Sequence, residues 1–257
     1  MSPSVSHPRH NPKALRLFTF TPIPTPMNYT FEPPALVSIP VVGLDALFPV
    51  HRLYCVGRNY EEHAKEMGYT GREAPFFFLK PTDSLIYVAP GHIAPMPYPS
   101  ITQNFHHEIE LVVAIGKGGR DIAAKDAQDH IYGYAVGLDM TRRDLQNDMK
   151  KQGRPWDIGK AFDLSAPMGP IVPKAQVQGL EDAEIYLTVN NTDRQRSHIN
   201  KLIWNIAETI EHLSKAWELK AGDLIFTGTP EGVNAVVRGD HLHGAVAGVG
   251  SIDVSVV

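Results

Sequence analysis

The chain has 257 residues, of which 43% are hydrophobic and 20% charged, so it carries enough apolar material for one large core. Its 24 basic and 28 acidic residues give a formal net charge of -4, which argues against the basic surface typical of nucleic-acid or membrane binding. The single cysteine, Cys55, excludes an internal disulfide, and no apolar run reaches the roughly 18 residues of a bilayer span. We therefore expect a cytoplasmic globular protein that acts on a small molecule, with no nucleic-acid and no membrane partner.

The N-terminal segment differs in composition from the rest. Its first acidic residue is Glu32, and residues 1–26 carry repeated prolines that oppose a helix or a central strand. We expect residues 1–26 to form a disordered proline-rich tail, with a transit peptide as the alternative for a basic, acid-free leader. Residues 27–50 are expected to form a short extension that packs on the core, and residues 51–257 the main domain.

Hydrophobic patterning predicts the elements of the main domain. Strands are predicted over residues 53–56, 76–79, 105–116, 134–138, 185–189, 224–226 and 252–256. Helices are predicted over residues 59–68, 124–132, 141–152 and 201–218, the first with Asn59 as its N-cap and Gly68 at its C-terminal end. Strands outnumber helices and do not alternate with them regularly, which indicates an α+β fold.

Paired carboxylates stand out on the strand predicted over residues 105–116. Glu108 and Glu110 are two residues apart, so on a strand both project from one face, opposite to His107. Such a pair within an apolar strand is costly unless a cation neutralises it, and Asp139 adds a third carboxylate at the end of another strand. Three carboxylates without a thiol favour Mg²⁺ or Mn²⁺ over zinc. The alternative is a solvated strand face with Asp139 as a helix cap.

Two helical pairs are further candidates. His63 and Glu66 lie three residues apart, so the carboxylate could orient the imidazole as a base that activates water; alternatively, they form an ordinary surface pair. Arg143 and Gln146 have the same spacing, and an arginine fork suits the carboxylate of an acidic substrate. A solvated helix surface is the alternative for this second pair.

Two lysines and a turn complete the candidate set. Lys80 and Lys160 are single lysines in mostly uncharged surroundings, so each is either a surface lysine or a catalytic cation. The segment 227–230, Thr-Gly-Thr-Pro, follows a strand and could bind an anion through its backbone N–H groups and the Thr229 hydroxyl. A plain turn is the alternative.

Six spaced segments together resemble the fumarylacetoacetate hydrolase family. They are Gly57-Arg-Asn-Tyr60 with His63 and Glu66, Phe78-Leu-Lys-Pro81, His107-Glu-Ile-Glu110, Gly137-Leu-Asp-Met-Thr141 with Arg143 and Gln146, residues 156–160, and Thr227-Gly-Thr-Pro230. The resemblance runs from about Leu53 to the C-terminus and is closest to the branch that hydrolyses fumarylpyruvate in gentisate breakdown. It implies a mixed β-sandwich roll of the family's C-terminal domain type with a few peripheral helices, and makes residues 51–257 a catalytic domain.

The resemblance also implies a homodimer, a bound Mg²⁺ or Mn²⁺, and a role for each candidate residue. It implies Glu108, Glu110 and Asp139 as metal ligands, His63, Glu66 and Lys160 as catalytic residues, and Lys80, Arg143, Gln146 and Thr229 as substrate-binding residues. The expected reaction is hydrolysis of a carbon–carbon bond in a 2,4-dioxo acid, an acylpyruvate. Oxaloacetate decarboxylation, oxo-acid isomerisation or hydration, and non-catalytic metal or oxo-acid binding remain alternatives.

Two segments depart from the family pattern. Asn190-Asn191 replaces the usual Asn-Gly of a hairpin turn, and we expect the turn to persist because asparagine tolerates the left-handed conformation. Residues 195–200 lack the usual acidic, glycine-containing character, a difference that bears on substrate specificity.

Overall fold

The computed structural model describes residues 29–66 and 72–257, apart from the side chains of residues 64–66. The expectations for residues 1–26, for Gly68 and for the Glu66 side chain therefore lie outside the described residues. Backbone contacts divide the chain into two units, Met1–Ala35 and Leu36–Val257. In the first unit residues 29–35 form neither helix nor strand, and every element named below belongs to the second. No helix in the described part is long and apolar enough to cross a membrane.

The second unit is built mainly from strands. The strands are β1 (Ser38–Pro40), β2 (Leu47–Pro49), β3 (Leu53–Gly57), β4 (Phe76–Lys80), β5 (Leu85–Tyr87), β6 (Ile93–Met96), β7 (Phe105–His106), β8 (Ile109–Ile115), β9 (Ile131–Leu138), β10 (Thr141–Arg142), β11 (Ala166–Met168), β12 (Val172–Pro173), β13 (Glu184–Val189), β14 (Thr192–His198), β15 (Leu224–Phe226), β16 (Ala235–Val236), β17 (His241–Val246) and β18 (Gly250–Val256). The α-helices are α1 (Glu61–Glu66), α2 (Arg143–Lys151), α3 (Asp157–Lys160) and α4 (Ile206–Ala216).

A mixed sheet carries the centre of the core. Its strand order is β4-β3-β15-β8-β9-β11-β5, with β12 paired to β9. Strand β8 is buried along its whole length because apolar clusters cover both faces. Leu111 and Val113 belong to one cluster. Val112 and Ala114 belong to the other, which also takes Phe48 from the extension. The predicted α+β class is confirmed.

A second sheet has the order β14-β13-β17-β18-β6. Asn190 and Asn191 form the turn of its β13–β14 hairpin, with φ angles of 50° and 62°. The expectation that this turn persists without glycine is therefore confirmed, since both asparagines adopt the left-handed conformation.

The strand predicted over residues 105–116 is interrupted. Strand β7 pairs with β10 and β16 in a small three-stranded sheet, whereas β8 pairs with β9 and β15 in the large one. The chain thus passes from one sheet to the other at His107 and Glu108, which belong to neither strand. The prediction of one continuous strand over residues 105–116 is therefore wrong, although the Glu108 carbonyl oxygen still accepts the N–H of Asp139 next to the start of β8.

Tertiary contacts also override the expected cap of α1. The helix begins at Glu61, and Asn59 is fully buried. The Asn59 side-chain amide donates to the carbonyl oxygens of Trp204 at 2.9 Å and Thr227 at 2.8 Å, and accepts from the N–H of Trp204 at 2.8 Å. Asn59 therefore joins three segments instead of capping a helix.

Three of the predicted helices are shorter in the structure or of a different type. The helix predicted over 201–218 begins at Ile206, where Asn205 and Glu208 form a capping box. The helix predicted over 124–132 is a 3₁₀ helix, Ala124–His130, and the one predicted over 141–152 begins at Arg143. Strand β4 extends one residue beyond the predicted 76–79 and is a partly exposed edge strand.

Candidate active site

Three carboxylates converge at one end of the large sheet. Glu108 lies at the passage between β7 and β8, Glu110 lies on β8, and Asp139 follows β9, the antiparallel neighbour of β8. The backbone N–H of Asp139 donates to the carbonyl oxygen of Glu108 at 2.9 Å, which fixes the two chains side by side. One oxygen from each carboxylate lies within 4.8 Å of the others, and all three residues are at most 5% exposed.

Buried cations face two of these carboxylates. The Lys160 Nζ lies 2.7 Å from Glu108 Oε2 and 2.6 Å from Asp139 Oδ2. Arg143 forms an ion pair with the other oxygen of Glu108. The carboxylate of Glu110 instead accepts the backbone N–H of Gly228 at 2.8 Å.

This arrangement drives the two glutamate pKa values apart. Burial acts to raise the pKa of Glu108, but Lys160 and Arg143 hold it below its usual range. Burial raises the pKa of Glu110 well above its usual range, and the charges of Asp139 and Glu108 add to this. Lys160 is buried, but Asp139 and Glu108 raise its pKa and so keep it charged. Among the described residues the buried cations therefore pair with Glu108 and Asp139, whereas Glu110 has no cationic partner, and a divalent cation bound beside Glu110 would favour its ionised form.

The structure places Lys80 behind Asp139 rather than on the wall of the cavity. Its side chain is fully buried, and its Nζ lies 2.9 Å from Asp139 Oδ1. The Nζ also donates to Ser165 Oγ at 2.8 Å and to the carbonyl oxygens of Met140 and Lys160. Lys80 therefore fixes the position of Asp139, and these contacts occupy its ammonium group.

The turn after β15 offers a backbone N–H, as its sequence allows, but the group that accepts it is the protein's own Glu110 carboxyl. Gly228 has φ of 101°, and an added Cβ would lie 2.6 Å from the Cβ of Asn59. The Thr229 hydroxyl donates to the carbonyl oxygen of Ile109 at 2.8 Å, so its proton points away from a substrate. The turn is thus shaped around β8.

Replacing Gly228 with alanine is expected to destabilise the fold by about 1–3 kcal/mol, because the positive φ is strained for alanine and the new methyl meets Asn59. Chemical denaturation measures the loss. Gly153→Ala is the matched control, since Gly153 also has a positive φ, 63°, but no described residue lies within 4 Å of an added Cβ. Equal losses in the two variants would contradict the proposed clash.

Helices α2 and α3 bring the remaining polar groups to the carboxylates. The Arg143 N–H donates to the carbonyl oxygen of Asn104 at 2.8 Å, which places the start of α2 beside β7. An added Cβ on Gly159 would lie 2.8 Å from the backbone nitrogen of Gln146. This close approach of α3 to α2 is what places Lys160 next to Glu108.

One cavity unites most of the candidate residues. It encloses about 330 Å³ including space open to solvent. It is lined by Val56, Gly57, Arg58, His63, Phe78, Glu108, Glu110, Asp139, Arg143, Gln146, Trp156, Lys160 and Thr229. His63 is 6% exposed, and its protonated form would lower the pKa of Glu108. Eight of the ten predicted residues therefore line one space, Lys80 lies behind it, and the Glu66 side chain is outside the described residues.

Sequence reasoning gave no role to five residues of the cavity wall, which are Val56, Gly57, Arg58, Phe78 and Trp156. Arg58 has φ of 55°, an unusual conformation for a non-glycine residue, and its guanidinium lies 4.8 Å from the centre of the Phe76 ring. The ring of Trp156 packs edge-on against the same Phe76 ring at 5.1 Å. Arg58 and Trp156 lie within segments that carry the family resemblance, 57–60 and 156–160, and this was the signal that could have identified them.

Comparisons of the sequence and of the structure with known proteins point to the same protein family. The model of the fumarylacetoacetate (FAA) hydrolase C-terminal family matches residues 52–257. A crystal structure of fumarylpyruvate hydrolase from Pseudomonas aeruginosa, in complex with Mn²⁺ and pyruvate, matches with a TM-score of 0.88 at 57% identity, covering 90% of this chain and 99% of that one. Fumarylpyruvate hydrolase from Ralstonia sp. is 46% identical over 184 residues, 72% of this chain and 93% of its own length. The mitochondrial oxaloacetate decarboxylase of Dictyostelium discoideum is 38% identical over 198 residues, 77% of this chain and 89% of its own.

Proposed function

The chain belongs to the fumarylacetoacetate hydrolase family of enzymes, and from this we propose that it hydrolyses a carbon–carbon bond of a 2,4-dioxo acid, with fumarylpyruvate as the preferred substrate. The products would be fumarate and pyruvate, in the breakdown of gentisate. The observation that carries the proposal is the convergence of three buried carboxylates with Lys160 and Arg143 in the cavity that His63 also lines. The relatives named fumarylpyruvate hydrolase support the choice of substrate.

The residues present fit a hard divalent cation. Glu108, Glu110 and Asp139 offer oxygen ligands, and the raised pKa of Glu110 indicates a carboxylate that needs further positive charge to ionise. We assign Mg²⁺ or Mn²⁺ to this site, and the pyruvate and Mn²⁺ in the Pseudomonas aeruginosa structure support that choice. When bound, the cation supplies positive charge that stabilises the electron pair left on the pyruvate half.

His63 begins the reaction as a general base. It takes a proton from water, and the hydroxide attacks the C4 carbonyl of the substrate. The C3–C4 bond then breaks, its electron pair remains on C3, and a proton is added there to give pyruvate. Glu66 is assigned to orient the His63 ring, as the resemblance implies.

Cationic side chains hold the substrate and its developing charge. Arg143 extends from the start of α2 towards Glu108 and supplies a guanidinium for a substrate carboxylate, with Gln146 one turn further along the same face. Lys160 remains charged and adds positive charge next to the breaking bond. We assign Lys80 to positioning Asp139, and Thr229 to shaping the cavity wall by its bond to Ile109.

Oxaloacetate decarboxylation is the second candidate, favoured by the Dictyostelium discoideum relative. It would use the same carboxylates and cations but no attacking water. Hydrolysis therefore requires His63 as a base, whereas decarboxylation does not require it.

A substrate panel distinguishes these activities. Fumarylpyruvate, acetylpyruvate and oxaloacetate are each assayed with Mg²⁺, Mn²⁺ or EDTA, and the products are separated by chromatography. We expect the highest kcat/KM for fumarylpyruvate, with equal release of fumarate and pyruvate, and loss of turnover in EDTA. Turnover of oxaloacetate alone would favour the decarboxylase, and metal binding without any turnover would favour a binding protein.

The assembly and the location are part of the same proposal. We propose a cytoplasmic homodimer, the assembly implied by the family resemblance. Light scattering coupled to size exclusion measures the mass of the particle, and a value near 28.4 kDa would exclude the dimer.

A further inference from the structure

Gln195 is a buried amide in a strand that is otherwise largely exposed. Strand β14 lies at the edge of its sheet, and Gln195 is only 1% exposed whereas its neighbours Arg194 and Arg196 face solvent. An amide side chain is removed from water only where the protein replaces its hydrogen bonds. The hydrogen-bond partners of Gln195 therefore show which segments of the chain its amide joins.

All four hydrogen-bonding positions of the amide are used. Oε1 accepts from the backbone N–H of Ile109 at 3.1 Å and from His107 Nδ1 at 2.9 Å. Nε2 donates to Thr229 Oγ1 at 2.8 Å and to the carbonyl oxygen of Pro230 at 2.8 Å. The amide can have only this orientation, because the N–H of Ile109 requires an acceptor and the carbonyl of Pro230 requires a donor.

These four bonds join the two segments that place the carboxylates. The oxygen of Gln195 holds the residues on both sides of Glu108, at the point where the chain leaves one sheet for the other. The nitrogen holds the turn whose Gly228 N–H binds Glu110. We propose that Gln195 is a positioning residue, whose amide clamps the Glu108 segment to the 228–230 turn and so sets the spacing of the metal ligands; this rests on the proposed metal-dependent function.

The clamp also sets the direction of the Thr229 hydroxyl. Because Oγ1 accepts from Gln195, its own proton goes to the carbonyl oxygen of Ile109. The hydroxyl can then offer only a lone pair to a substrate. A substrate group that accepts hydrogen bonds must therefore be held by other donors of the cavity, such as Arg143.

The test replaces Gln195 with methionine, which keeps the length of the side chain and removes all four bonds. Mn²⁺ binding to the metal-free protein is measured from the electron paramagnetic resonance signal of free Mn²⁺, and kcat at saturating Mn²⁺. Mutation of residues that hydrogen-bond and orient metal ligands typically lowers metal affinity or activity by about 10–100-fold. We therefore expect the Kd for Mn²⁺ to rise about tenfold or more in the Gln195 variant, and kcat to fall by a similar factor.

Ser214→Ala is the matched control. Ser214 is fully buried on α4, and its Oγ accepts the N–H of Ile122 at 2.9 Å, so the substitution removes a buried hydrogen bond from another part of the core. We expect its Mn²⁺ affinity to equal that of the parent. If Gln195→Met does not fold, Gln195→Glu is measured instead, since it keeps an acceptor for Ile109 but no amide donor for Pro230.

Each outcome bears on a distinct statement. Parental Mn²⁺ affinity and kcat in the Gln195 variant would overturn the clamp alone. An equal loss of affinity in Ser214→Ala would attribute the effect to general stability and would also overturn it. Failure of the parent protein to bind Mn²⁺ would overturn the proposed function and, with it, the clamp.

Discussion

Replacing Glu110 with glutamine is expected to lower kcat/KM by about 10³-fold or more while leaving the metal-free fold at least as stable as the parent. The substitution removes the negative charge of one proposed metal ligand and so weakens binding of the cation. A bound Lewis-acid cation stabilises such a transition state by several kcal/mol, and each 1.36 kcal/mol of lost stabilisation lowers the rate about tenfold. The fold is retained because the glutamine oxygen can still accept the N–H of Gly228.

The effect on stability has a defined pH dependence. In the metal-free protein the pKa of Glu110 is raised above its ordinary value of 4.5, so the folded chain holds a proton that the unfolded chain releases. The free energy of unfolding of the parent therefore falls as pH rises from about 4.5 towards the raised pKa, and the glutamine variant lacks this loss. We expect the variant to gain stability relative to the parent between pH 5 and pH 8 in EDTA.

Steady-state kinetics measure the loss of kcat/KM, denaturant titrations in EDTA at several pH values measure the stability of the metal-free fold, and thermal unfolding in EDTA and in Mn²⁺ measures stabilisation by the metal. Mn²⁺ should raise the Tm of the parent but not that of Glu110→Gln, because only a bound ligand stabilises the folded state. Glu184→Gln is the isosteric control; Glu184 pairs with Arg196 on the surface, away from the cavity. A Glu110 variant with the parent's Mn²⁺-dependent Tm shift would remove Glu110 from the metal site.

The sequence located the carboxylates but not the way in which they meet. Glu108 and Glu110 were placed on one continuous strand, whereas the chain changes sheets at His107 and Glu108, just before β8 begins. The position of the three carboxylates depends on pairings with β9, β15 and β16, which are separate segments of the chain. Local periodicity cannot contain such pairings, so the sequence predicted that the carboxylates converge but not which strands bring them together.

The hydrogen-bond partners of individual side chains could not be predicted from the sequence either. A lysine before Pro81 and a threonine in a turn both suggest contacts to a substrate. In the structure the Lys80 ammonium donates to Ser165 and to two backbone carbonyl oxygens beside Asp139, and the Thr229 proton goes to the carbonyl of Ile109. Gln195 has no local pattern at all, because its partners lie 34 to 88 residues away.

The sequence predicted those elements correctly whose structure is decided by residues close together in the chain. The strand over 224–226 is predicted to the residue, since its apolar run ends at the polar turn that begins with Thr227. The Asn190-Asn191 turn is another case, because asparagine itself favours the conformation required. The cap of α1 failed because Asn59 finds better partners in Trp204 and Thr227 than in its own helix.

Replacing His63 with alanine is expected to reduce the hydrolysis of fumarylpyruvate by about 10²–10⁴-fold, the usual contribution of a general base. His63 lines the cavity next to Glu108 but is not one of the three carboxylates, so Mn²⁺ affinity should change little. Steady-state kinetics with Mn²⁺ occupancy measured on the same samples tests both statements. A loss of Mn²⁺ binding that accounts for the whole effect would contradict the assignment of His63 as the base.

The same variant separates hydrolysis from decarboxylation, because only hydrolysis needs a water to be deprotonated. Any turnover of oxaloacetate should therefore survive in His63→Ala within a few-fold, while fumarylpyruvate cleavage is lost. Parent enzyme assayed in ¹⁸O-labelled water should place the label in the carboxylate of fumarate that derives from C4. Unchanged hydrolysis in His63→Ala would mean that another group activates the water, and a proportional loss of both activities would mean that His63 acts on the step they share, the formation of the electron pair at C3.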